Sequence, residues 1–169
     1  MMSDGRSVHE SVKEYWDAFE SSARIGHSDY IVLHFGDGTE LADELSAQVV
    51  LGKKRATKCL LRDATENGKR LLRTGDLCVV VDGKNSPRCI VHILSVEVKP
   101  LRDVDEDFAW NDGGGDGSLA WWRSAHERYF RRQGAREGFT IDDAAVVVLA
   151  RFEVVWPLRL ANPRSSCGR

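Results

Sequence analysis

The chain predicts an α+β fold, a small β-barrel with flanking α-helices. Three observations carry that prediction. Short apolar strands are interrupted by two or three amphipathic stretches rather than alternating regularly with them, which disfavours a doubly wound sheet. One pair of apolar runs is joined by a turn-rich tetrapeptide, the pattern of a hairpin. The 169 residues, 42% of them apolar, suffice for one core.

From the N-terminus, Val8, Val12, Tyr15, Trp16 and Phe19 recur at helical steps and predict an amphipathic helix that packs on the domain. Tyr30 to Phe35 reads as a strand, broken by Gly36-Asp37-Gly38. Thr39 suits an N-cap, and a second helix is expected from about Glu40 to Leu51, closed by Gly52. Cys59 to Leu61 suggests a strand, and Asp63 to Lys69, with Asn67-Gly68, an exposed flexible loop. Leu77 to Val81 and Arg88 to Val98 flank Asp82-Gly83-Lys84-Asn85 as a hairpin. Phe108 to Ser118 holds four glycines and reads as a loop in which Asp116 or Ser118 caps the next helix, about Leu119 to Arg132. A strand from about Val146 to Trp156 ends the domain, and residues 158–169 read as a basic, disordered tail carrying Arg159, Arg164 and Arg169. The expected organisation is thus 1–29 as a helix and linker, 30–157 as the domain, and 158–169 as the tail.

Charge narrows the classes of function. With 24 basic and 26 acidic residues the formal charge is −2, so any polyanion must be gripped by a local patch rather than by the field of the whole molecule. Lys53, Lys54, Arg55 and Lys58 form one such patch, and Arg123, Arg128, Arg131 and Arg132 lie among the aromatics of the 119–132 helix, a combination suited to single-stranded nucleic acid. The four cysteines lack zinc-site spacing and read as reduced thiols, and the first 28 residues show neither a signal peptide nor a membrane span, so a cytoplasmic location is expected. No protein partner is identifiable.

Gly52, Lys54 and Thr57 form a Gly-x-Lys-x-x-Thr pattern that resembles the ASCH family, a relative of the RNA-binding PUA domains. The similarity extends to the larger bacterial ASCH proteins through Phe35-Gly36-Asp37, Glu40 to Leu45, Gly75-Asp76, Val80 to Gly83, Val104-Asp105, Phe108-Ala109, Gly113, Gly115-Asp116, Ser118-Leu119, Trp122-Arg123, His126 and Arg151 to Val155, in order over about residues 30 to 157. This resemblance implies a cleft that handles RNA or a nucleoside, and either a ribonuclease or an amidohydrolase that deacetylates N4-acetylcytidine. For the amidohydrolase it implies Lys54, Thr57 and, where the family has glutamate, Asp112; the shorter side chain and the charge of Arg55 and Lys58 are departures that favour a polyanionic ligand.

The expected function is a hydrolase on single-stranded RNA, with deacetylation of a modified nucleoside and non-catalytic RNA binding or ligand sensing as alternatives. Lys54, Thr57 and Asp112 are the catalytic candidates. Lys53, Arg55, Ser118, Trp122, Arg123 and His126 are the substrate-binding ones. A partly desolvated lysine can act as a base, and Ser118 at a helix N-terminus can hold a phosphate. His126 falls in register with Leu119 and Trp122 and reads first as a packed residue; one of Trp121 and Trp122 should be buried and the other a stacking platform. No metal site is assigned, although Asp112 and Asp116 are compatible with a divalent metal.

Overall fold

A computed structural model describes residues 8–23 and 29–160. The elements in chain order are helix α1 (Val8–Ala23), strand β1 (Ile31–Leu33), α2 (Thr39–Val50), β2 (Ala56–Leu60), α3 (Leu61–Thr65), β3 (Leu77–Val81), β4 (Pro87–Pro100), α4 (Glu106–Asp112), α5 (Leu119–Glu137) and β5 (Val146–Trp156). The five strands form one mixed sheet in the order β1-β3-β4-β5-β2. β1 pairs in parallel with β3, and the β3/β4 hairpin is antiparallel with a bulge between Val80 and Val81. The fold is α+β, as the spacing of the apolar runs predicts.

Two compact units share these elements. The first comprises Met1–Gly52, Gly75–Ile93 and Glu153–Arg169 through their described residues. Its core joins Val12, Trp16 and Phe19, the apolar stripe of α1, to Val79, Val81 and Ile90 of the hairpin. The second unit comprises Lys53–Thr74 and Leu94–Phe152. Here Ala56 and Leu60 of β2 and Val147 and Leu149 of β5 pack with Phe108 and Ala109 of α4 and Trp122 and Phe130 of α5.

Several local expectations are corrected. Gly38, in extended conformation and without a side-chain hydrogen bond, occupies the cap position of α2, and Thr39 is already helical. The stretch Asp63 to Lys69 is not an open loop: α3 and a 3-10 turn at Glu66–Gly68 run through it, with Thr65 Oγ1 donating to the Leu61 carbonyl. β2 begins at Ala56 rather than Cys59, so Thr57 lies within the strand. The glycine-rich segment starts later than expected, because its first part is α4, capped by Asp105, whose carboxylate accepts the Phe108 N–H at 2.8 Å. A 3-10 turn at Leu158–Leu160 opens the segment read as a tail; Arg164 and Arg169 lie outside the described residues. Cys59, Cys78 and Cys89 are free thiols. No helix among the described residues is long and apolar enough to cross a membrane.

Candidate functional site

The site grows from a close approach of backbone to backbone. Gly113 ends α4 in the left-handed conformation (φ 81°), and a Cβ there would lie 2.6 Å from the Lys53 carbonyl oxygen and 3.0 Å from Lys54 Cα. Glycine therefore lets the 53–55 segment press on the end of α4. The Arg55 N–H donates to the Asn111 carbonyl at 2.6 Å and fixes that approach. Lys54 is thereby brought to Asp112, the last residue of α4.

Asp112 is the hub. Its Oδ1 accepts from Lys54 Nζ at 2.5 Å, and Lys54 also donates to the Asp112 carbonyl at 3.1 Å. Its Oδ2 accepts from Trp122 Nε1 at 2.7 Å and faces Lys58 Nζ at 3.0 Å. His126 Nε2 lies 3.5 Å from the same oxygen, and the His126 ring stacks on Trp122 with centroids 4.2 Å apart. The Trp122 carbonyl can only accept, so His126 Nδ1, 2.8 Å away, carries the proton and a neutral ring keeps its lone pair on Nε2.

Burial and charge act unequally on this cluster. Burial alone would raise the Asp112 carboxyl, but Lys54, then Lys58, hold it well below the usual carboxylate range. Lys54 has one carboxylate against burial and the like charge of Lys58, and burial wins, lowering the ammonium to about 8. Burial and then Lys58 lower His126 to about 3. The side chains of Lys54 and Asp112 are 1% and 2% exposed, whereas Lys58 and His126 retain 15% and 12%. A sealed anchor therefore carries a partly open rim with an ammonium and an unprotonated imidazole nitrogen.

The family model for the ASCH domain matches residues 31–156. The chain belongs to the ASCH domain family. Members are PUA-like domains proposed to bind RNA. Among solved structures, the ASCH domain from Lactobacillus crispatus JV V101 is 26% identical, with a TM-score of 0.75 over 96% of this chain and 100% of that one. A protein from Enterococcus faecalis V583 is 28% identical, with a TM-score of 0.79 over 87% of this chain and 89% of that one. No curated protein matches the chain.

Within this ASCH domain the candidate residues separate. Lys54, Asp112, Trp122 and His126 come together. Trp122 is 1% exposed, so its indole holds Asp112 rather than offering a face to a ligand; Trp121 is the exposed member of that pair. Thr57 does not join the cluster through its strand: Ala56 and Leu60 alternate onto the α4/α5 side together with Lys58, which turns Thr57 to the opposite face of β2. Arg123 donates to the carbonyls of Arg102 and Val104, at 2.7 and 3.3 Å, and pins the turn before α4. Lys53 is exposed, Arg55 is half-buried, and Ser118 caps α5 by accepting the Trp121 N–H at 3.1 Å.

Asp112 and Asp116 have separate partners. Asp112 is enclosed by amine and indole donors, while Asp116 accepts the Ser118 N–H at 2.8 Å. Among the described residues no three His, Cys, Asp or Glu side chains are grouped as metal ligands would be. The residue that the spacing undervalues is Lys58, which appears as one more cation of a solvated patch. Its place, two residues from Ala56 on an alternating strand, was the available signal.

Proposed function

We propose that this ASCH domain binds single-stranded RNA and cleaves it, with the strand lying against Lys58 and His126. The observation that supports this most is the unprotonated Nε2 of His126 beside the Lys58 ammonium, both at the rim of a buried, net positive cluster. The Lys58 ammonium faces the non-bridging phosphate oxygens, and His126 Nε2 takes the proton of the neighbouring 2′-hydroxyl. The 2′ oxygen bonds to phosphorus, the bond from phosphorus to the 5′ oxygen breaks, and that oxygen takes a proton from solvent. A 2′,3′-cyclic phosphate and a 5′-hydroxyl result.

A histidine held at about 3 is a weak base, but an arriving phosphate favours its protonated form and brings its proton affinity closer to the working pH. Lys54 and Asp112 act as positioning residues, since neither is exposed enough to meet a polymer. The deacetylase alternative needs Thr57 beside Lys54 and Asp112, and strand alternation argues against that grouping.

The test incubates purified protein with labelled single-stranded RNA, with the same oligonucleotide carrying 2′-O-methyl groups, and with N4-acetylcytidine. Cleavage of the RNA alone is expected, slowed at least about 100-fold in His126→Ala. Lys58→Ala should weaken binding and flatten its salt dependence by about one phosphate contact. RNA bound but uncleaved would replace the nuclease by a reader of RNA, and release of acetate would replace it by the deacetylase.

A further inference from the structure

Away from that cluster a cleft of about 480 Å³ opens on α4 and the start of α5, lined by Glu106, Asp107, Trp110, Gly117, Ser118 and Leu119. Its volume suits a small ligand. Trp110 is 68% exposed, which is unusual for the largest side chain in the set. The ring is nevertheless held in place: a Cβ at Gly117, whose φ is 80°, would lie 2.6 Å from Trp110 Cε3. Bare glycine backbone supports one part of the indole. The glycine run thus serves the protein's own rings, with Gly114 and Gly115 under Trp121 and Gly117 under Trp110.

The polar groups of the cleft indicate what would lie on that ring. Asp107 is engaged by Arg151 at 3.1 Å, whereas the Glu106 carboxylate makes no hydrogen bond or ion pair with another described residue. Ser118 Oγ accepts the Trp121 N–H, and its hydroxyl donates to the Asp116 carboxylate, so Ser118 is already engaged on both sides. Two carboxylates repel a phosphate, so Ser118 faces a poor environment for the phosphate role its helix-capping position suggests. A flat, uncharged group with two adjacent N–H donors fits the Glu106 carboxylate instead.

Among the nucleobases only guanine has that edge, with N1–H and the N2 amino group side by side. Adenine and cytosine place a ring acceptor beside the amino group, and uracil flanks its single N–H with two carbonyls that a carboxylate repels. We propose that this cleft is a guanine-selective base pocket. Trp110 stacks on the base, and Glu106 accepts from N1–H and N2–H. The pocket names the base that the RNA-cleavage proposal leaves open, yet it rests on its own residues.

The experiment measures binding of free guanosine, adenosine, cytidine and uridine to the full chain by tryptophan fluorescence and by ligand-observed NMR, with tetramethylammonium as a cationic competitor. Guanosine should bind at least about tenfold tighter than the other three. Glu106→Gln, which replaces an acceptor by a donor, should remove that preference, and Trp110→Ala should weaken all four. Both positions are exposed, so unchanged circular dichroism is expected in both variants. Equal affinities, a preference that survives Glu106→Gln, or tetramethylammonium binding as tightly as guanosine would overturn the proposal. RNA cleavage that persists without guanosine binding would sink the pocket alone; guanosine binding without cleavage would sink the nuclease alone.

Discussion

The cores of the two units differ in kind. In the first unit Val12, Trp16, Phe19, Val79, Val81 and Ile90 form a wholly apolar cluster, with Trp16 and Phe19 centroids 5.1 Å apart. In the second, Trp122 is packed among apolar side chains while its indole N–H reaches into a cluster of buried charge, with Lys54 and Asp112 almost fully enclosed. Apolar burial stabilises in proportion to area, at roughly 25 cal/mol per Å². Burying an ion costs several kcal/mol, offset only when partners are well placed. Asp112 has donors on both oxygens and so meets that condition. Lys54, lowered to about 8, meets it less well, which marks the second core as a place where stability is given up for a defined arrangement of charge.

Substitutions should expose the contrast. The largest effect is expected in the charged core: Asp112→Ala leaves the Lys54 ammonium enclosed without its carboxylate and should destabilise by about 3–5 kcal/mol in denaturant titrations. The double variant Lys54→Met, Asp112→Leu should recover most of that loss; if it does not, the pair itself stabilises the fold and the contrast fails. Trp16→Ala in the apolar core should cost a comparable 3–5 kcal/mol, through lost transfer energy and a cavity, but with no dependence on pH between 5 and 8.

Acid should act on the charged core selectively. His126 is lowered from 6.5 to about 3 in the folded chain, so between those values the unfolded state binds more protons. The stability tied to a neutral His126 is therefore present above pH 6.5 and is lost as pH falls from there towards 3. Asp112, held below its ordinary 3.8, adds a further loss as pH drops beneath that value. Denaturation midpoints measured from pH 8 to 4 should fall for the natural chain and fall less for His126→Gln. The smallest expected effect is Ser118→Ala, about 1 kcal/mol from loss of the α5 cap, read as a shift in thermal midpoint.

How much could be read without coordinates depended on the range of the interactions involved. The stripe from Val8 to Phe19 and the apolar run Val146–Trp156 carry their periodicity within a few residues, and both elements form where that periodicity lies. α4 was hidden because seven residues are too few to show a period, although Asp105 followed by Glu106 and Asp107 is a helix-start signal. The glycines from 113 to 117 announced a close approach without saying to what. The partners proved to be Lys53 and Lys54 for Gly113 and the indoles of Trp121 and Trp110 for the rest.

The candidate site follows the same division. Lys54 and Asp112 were legible as candidates through the family pattern, but their contact joins residues 58 apart in the chain. The separation of Thr57 from Lys58 was decided by where β2 begins, and the concealment of Trp122 beside the exposed Trp121 by which face of α5 the core takes. The sequence by itself determined the α+β class, the helical stripe, the hairpin and the family, because each rests on short-range patterning or on the order of motifs. Tertiary structure alone decided which charges are sealed and which remain at the rim, because burial and the pKa changes that follow from it depend on side chains brought together from distant segments.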